Sequence, residues 1–226
     1  MAYNRACASS ALTLAFALTF AAAPAGQSPA DLFLAARDGR AAAVRRLLDR
    51  GADPNTASRL HFGKTLLIVA AEGGHGDVVE ALLGAGADPN RASASGWTPL
   101  MAAAGDGDAG VVRALLAREA RVNAAADSGY TALMNASAYG HLAIADLLLA
   151  RGAEVNATTS AGLSPLAFAV WEGRASVARR LLERGADADV RYPDGRTLLE
   201  FAKTRGDAEL MEMLRSPTIP LRTNDA

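Results

Sequence analysis

The stretch TLLIVAAEGGHGDVVEALLGAGADPN, residues 65–90, returns 33 residues later as TPLMAAAGDGDAGVVRALLAREARVN, residues 98–123. Both copies begin with Thr, reach Gly at the tenth position, carry two leucines eight and nine residues further on, and end in Asn. A self-similar period of this length is the mark of a repeat architecture and takes precedence over local motifs.

Outward from these copies the columns continue. Thr65, Thr98, Thr131, Ser164 and Thr197 are spaced by 33, as are Gly74, Gly107, Gly140, Gly173 and Gly206, with Gly39 standing 35 before the first. The apolar pairs are Leu47-Leu48, Leu82-Leu83, Leu115-Leu116, Leu148-Leu149 and Leu181-Leu182, and the last copy reads Leu214-Arg215. Gly51, Gly86, Gly152 and Gly185 follow four of these pairs, and Asn55, Asn90, Asn123, Asn156 and Asp189 come four residues after that position. The hydroxyl residue predicts the N-cap of a short first helix, with Pro99 or Pro165 pre-set at its first position. Alanines such as Ala70-Ala71 and Ala103-Ala104 predict close packing of that helix. The central Gly turns the chain back, the leucines face inward on a second helix, and the following Gly supplies a left-handed cap. Such a unit cannot bury its own apolar face, so neighbours must stack.

These columns resemble the ankyrin repeat, most closely in Thr98-Pro99-Leu100 and in residues 65–90 with their Gly74-His75 and Gly86-Ala87 pairs. The resemblance implies an all-α solenoid of six stacked helix-turn-helix units with projecting hairpin loops, over residues 31–215. The expected units are 31–57, 58–92, 93–125, 126–158, 159–191 and 192–215, the first and last acting as caps. Residues 26–30 read as a linker and 216–226, with two prolines, as a flexible tail. Two departures stand out. Glu119 occupies a left-handed Gly position, and the loop between Asn55 and Thr65 is two residues longer than its counterparts.

The amino terminus reads as an address. Arg5 precedes an uncharged apolar run from Ala11 to Ala23, and Ala23-Pro24-Ala25 offers small residues for cleavage after Ala25. This is the layout of a secretory signal peptide over residues 1–25. Its removal takes away Cys7, the single cysteine, leaving no thiol chemistry and a chain suited to an oxidising compartment. The expected location is the bacterial periplasm, the arginine- and alanine-rich composition suggesting a GC-rich genome.

The formal net charge of −1 gives no basic field for nucleic acid, and no membrane association is expected after signal cleavage. Gly105-Asp106-Gly107-Asp108-Ala109-Gly110 fits a dinucleotide-binding pattern, but that mechanism needs a preceding strand, and the repeat register puts a helix there. A calcium loop is rejected because Ala117 stands where a glutamate is required. His75 and His141 fall two repeats apart and are expected to cap and pack locally, without metal. The sequons at Asn135 and Asn156 coincide with structural repeat positions. No constellation for catalysis emerges, and no cofactor is expected.

In ankyrin-like repeats the residue before each N-cap and the two residues before each central Gly lie near the inner groove. Those columns hold Lys64, Trp97 and Tyr130, and Tyr139 and Trp171. Aromatic rings outside the leucine and alanine columns are the anchors an interface uses. Arg59, His61 and Phe62 in the longer loop join them as candidate contacts. The expected function is non-catalytic protein–protein binding by a monomeric periplasmic accessory protein supporting an enzyme or stress response. An immunity protein against a periplasmic toxin, or an effector secreted into another cell, are the alternatives.

Overall fold

The computed structural model describes residues 29–58 and 61–215. The expected signal peptide, Arg59 and the expected tail lie outside the described residues.

Twelve helices are found among the described residues. They are α1 (Pro29–Arg37), α2 (Ala41–Leu48), α3 (Leu66–Glu72), α4 (Gly76–Gly84), α5 (Pro99–Asp106), α6 (Ala109–Ala117), α7 (Ala132–Tyr139), α8 (Leu142–Ala150), α9 (Pro165–Trp171), α10 (Ala175–Glu183), α11 (Leu198–Arg205) and α12 (Ala208–Arg215). Each odd-numbered helix packs on the next odd one and each even-numbered helix on the next even one, so the stack has two rows. The first helix begins at Pro29, inside the segment expected to be a linker, because proline is tolerated in a helix's first turn.

The hydroxyl column caps every odd helix from α3 onward. The side chains of Thr65, Thr98, Thr131, Ser164 and Thr197 accept from the backbone N–H of Ile68, Met101, Met134, Ala167 and Glu200. At Thr197 the bond is reciprocal: Glu200 Oε2 accepts from the Thr197 N–H at 2.8 Å. The odd row is flanked on both sides and is buried along most of its length, as in Leu66 to Ala71 of α3. Small alanines there let the helices approach. The even row buries one stripe; Leu82, Leu115, Leu148 and Leu181 are fully covered. The second leucine of the pair is half-buried at Leu48, Leu149 and Leu182.

The loops carry their own ladder. Asn90 Nδ2 donates to the Glu119 carbonyl at 3.0 Å while Asn90 Oδ1 accepts from the Arg121 N–H at 2.7 Å. Asn55, Asn123 and Asn156 repeat this clamp onto residues 86–88, 152–154 and 185–187. Each unit is thereby tied to the left-handed turn of the next. The hairpins also stack: Phe62 O accepts from the Ala94 N–H, Ser95 O from Asp127 and Ser128 O from Ser160. The first hairpin forms a small antiparallel pair, β1 (Ala57–Ser58) with β2 (Lys64–Thr65). Ala57 pairs with Thr65 there, whereas Ala125 bridges Thr131 and Arg191 bridges Thr197, so this hairpin holds two additional residues.

The histidines correct one expectation. Neither His75 nor His141 caps its helix. Each reaches the preceding unit, where Nε2 meets the carbonyl of Arg37 at 2.9 Å and of Gly105 at 3.0 Å. Arg174 Nε, at the same register position, makes the same contact with Ala138 O, and Arg205 Nη1, two residues before that position in the last unit, reaches Trp171 O. These long donors close a carbonyl left open at the ends of α1, α5, α7 and α9. Asp108 and Asp207 cannot donate there and instead cap α6 and α12, accepting from Gly110, Val111 and Leu210.

Candidate binding groove

The odd helices and the hairpins border a groove. Its walls come from the column preceding each N-cap and from the last turn of each odd helix. Trp97 and Tyr130, 33 residues apart, are neighbouring half-buried rings with centroids 5.7 Å apart. Tyr130 meets Phe168 edge-on at 5.0 Å. Towards the carboxyl end, Trp171 stacks on Phe201 at 5.1 Å and meets Tyr192 edge-on at 5.4 Å. The Arg196 guanidinium covers the Phe201 ring at 5.1 Å, a cation–π contact.

The rings differ in what they leave free. Phe62 is 81% exposed, Tyr139 58% and Trp171 43%. Trp97 and Tyr130 pack partly on the core, so they serve the fold as well as the groove. Burial pushes the Tyr130 phenol up to about 12, with the neighbouring Tyr139 and Glu172 adding to the shift. Burial also raises the Tyr192 phenol, outweighing Arg196 and Arg205, and its hydroxyl donates to Ala167 O at 2.8 Å.

Two adjoining clefts open at the amino-terminal half of this face. One, of about 530 Å³, is lined by Phe62, Lys64, Glu72, Trp97 and Asp127 with the hairpin residues 93–95. The second, of about 300 Å³, is lined by Glu72, Trp97, Ala102, Gly105, Asp106, Asn135 and Tyr139. Trp97 and Glu72 border both. Lys64 Nζ donates to both oxygens of Glu72, at 2.6 and 2.8 Å. Gly105 floors the smaller cleft because a Cβ there would lie 2.8 Å from Asn135 Nδ2. The amide of Asn135 is already committed, donating to Met101 O at 2.7 Å.

Of the residues singled out in sequence, Phe62, Lys64 and Trp97 border one cleft and Trp97 and Tyr139 the other; Trp171 lies in the carboxyl-terminal aromatic cluster. His61 is not in either cleft; its ring stacks on Phe33 of α1 at 4.8 Å and its Nδ1 is 2.7 Å from Ser58 Oγ. Sequence reasoning passed over Asp127, Phe168, Tyr192 and Phe201. Phe168 and Phe201 continue the register Ala102, Asn135, at the fourth residue after each N-cap, which was the available signal. No group of three or more His, Cys, Asp or Glu side chains converges on a metal position among the described residues.

A sequence profile described as Ankyrin repeats (3 copies) matches residues 31–93, 67–159 and 102–192. No curated protein matches the chain.

Proposed function

The chain belongs to the ankyrin repeat family, and from that premise we propose that its inner groove captures an extended segment of a partner protein without acting on it chemically. Ankyrin repeats are protein–protein interaction modules. The observation that carries the reading is the exposure of Phe62 at a hairpin tip and of Tyr139 and Trp171 at the ends of α7 and α9, while the core is filled mainly by Leu, Val and Ala. Large rings left in water beside concave, partly apolar clefts cost solvation unless a partner covers them.

The proposal extends to location and role. The apolar run and the small residues at 23–25 support export through a cleaved signal, and the protein then works in the periplasm as an accessory that holds a client enzyme or stress-response protein. Cell fractionation with amino-terminal sequencing tests the first part; Gly26 as the first residue in the periplasmic fraction is expected. Hydrogen exchange on a complex recovered from that fraction tests the second. Slowed exchange in 93–99, 126–131 and the ends of α5, α7 and α9 is expected, and protection confined to the even helices would overturn the groove reading.

A further inference from the structure

The groove's amino-terminal half has a definite chemical preference. Its two clefts present ring faces and carboxylates together. Lys64 and Glu72 neutralise each other through a paired contact. That leaves Asp106 and Asp127, one in each cleft, and neither side chain has an ion-pair or hydrogen-bond partner among the described residues. Both residues are exposed. Between them stands Trp97, shared by both clefts, with Tyr139 on the far wall. Lys64, the one Lys or Arg lining these two clefts, is already held. Uncompensated carboxylates flanking aromatic walls complement a planar cation, which can lie on a ring face while its edge meets a carboxylate. An acidic or phosphorylated segment would meet like charge here.

We propose that the partner segment is basic, and that an arginine side chain of the partner occupies the cleft between Trp97 and Tyr139, with its guanidinium on Asp106 and a second basic residue reaching Asp127. This rests on the groove reading above and adds the partner's chemistry to it. Phe62 bears on the same point. It is held at φ +52°, left-handed for a bulky residue, at the tip of the one hairpin with two additional residues. The equivalent tip residues, Ser95 and Ser128, are small and have ordinary φ. A strained, exposed ring at a cleft rim has an apolar neighbour to cover when the segment is bound. The proposed motif is therefore an arginine flanked by an apolar residue, in extended conformation.

The folded protein is panned against a random peptide library, and the selected peptides are resynthesised with each arginine replaced by citrulline, its neutral isostere. Enrichment of arginine beside apolar residues is expected. Citrulline should weaken binding about tenfold or more, and Asp106→Asn with Asp127→Asn should do the same. These two carboxylates make no contact that the fold uses, so melting curves of the double variant should overlay the parent's. Lys64→Gln frees Glu72 and should tighten the arginine peptide several-fold, a gain that a purely structural role does not produce. Peptides that bind the groove, are displaced by Tyr139→Ala, and tolerate citrulline would overturn the basic-partner proposal while leaving the groove reading intact. Peptides indifferent to Tyr139→Ala, or a protein that self-associates through this face, would overturn both.

Discussion

Asn90 donates its amide to the carbonyl of Glu119, the one non-glycine among the described residues of the left-handed column that follows α2, α4, α6, α8 and α10. Glu119 has φ +63°, where Gly51, Gly86, Gly152 and Gly185 have φ between +82° and +88°. The clamp from Asn90 and the hydrogen bonds of this turn hold a conformation that costs an L-residue roughly 1–2 kcal/mol. Glu119→Gly relieves that strain but enlarges the unfolded ensemble, which offsets part of the gain. The expected net effect is a stabilisation of about 1 kcal/mol. In a chain of this size that raises the melting temperature by about 2–4 °C. Circular dichroism melting checks it; an unchanged or lowered midpoint would mean the turn is relaxed with glutamate.

The clamp itself is testable. Asn123→Ala removes the donor to Gly152 O and the acceptor for Glu154 N–H together. The turn is exposed and water replaces part of what is lost, so a cost of about 1–2 kcal/mol is expected. Asn123→Asp keeps the acceptor but sets a carboxylate against the Gly152 carbonyl, and should rescue none of it. Chemical denaturation of the two variants separates the contributions.

Alkaline titration probes the groove rings. Tyr130 ionises at about 12 in the folded protein against an ordinary value of 10.0, and burial is the main cause. Between these values the unfolded chain has lost the proton and the folded one has kept it, so ν for the folded state exceeds ν for the unfolded. Stability is therefore full below pH 10 and falls as pH rises towards 12. Tyr130→Phe should flatten this slope, read as denaturation midpoints at successive alkaline pH values. A slope equal to the parent's would mean the phenol is fully hydrated.

The rings divide by what else they touch. Trp97 and Tyr130 pack on each other and on the core, so Trp97→Ala with Tyr130→Ala is expected to lower stability by about 2 kcal/mol, half-buried rings giving up part of a full burial term. The repeat register alone gives the other expectation, that these two rings are free anchors. Thermal melting distinguishes the cases, since free anchors would leave the midpoint unchanged.

The fold was legible because each column of the repeat has a separate local cause. The hydroxyl caps, the reversing glycines and the inward leucines are needed for short helices to form and stack, and each recurs where predicted. Glu119's left-handed backbone was legible for the same reason. Contacts between units were harder to see. His75 and Arg174 share a register position and a task, reaching a carbonyl of the previous unit, but they share no chemistry that a local reading would connect. The groove was read from the repeat columns and the longer loop, which found Trp97, Tyr139, Lys64 and Phe62. It missed Asp127 because a hairpin aspartate looks solvated until the neighbouring hairpin puts it beside Phe62 and Trp97.

The most direct test of the binding groove is paired affinity and stability measurement on Phe62→Ala with Tyr139→Ala, against a partner recovered by co-purification. These are the two most exposed rings of the face and lie in different clefts. Their loss should change stability by no more than about 0.5 kcal/mol. Losing an interface anchor costs about 2 kcal/mol of binding, roughly a thirtyfold weaker complex. A variant that melts with the parent and binds thirtyfold more weakly is the result predicted. A variant that melts with the parent and binds equally well would contradict the groove as the partner's site.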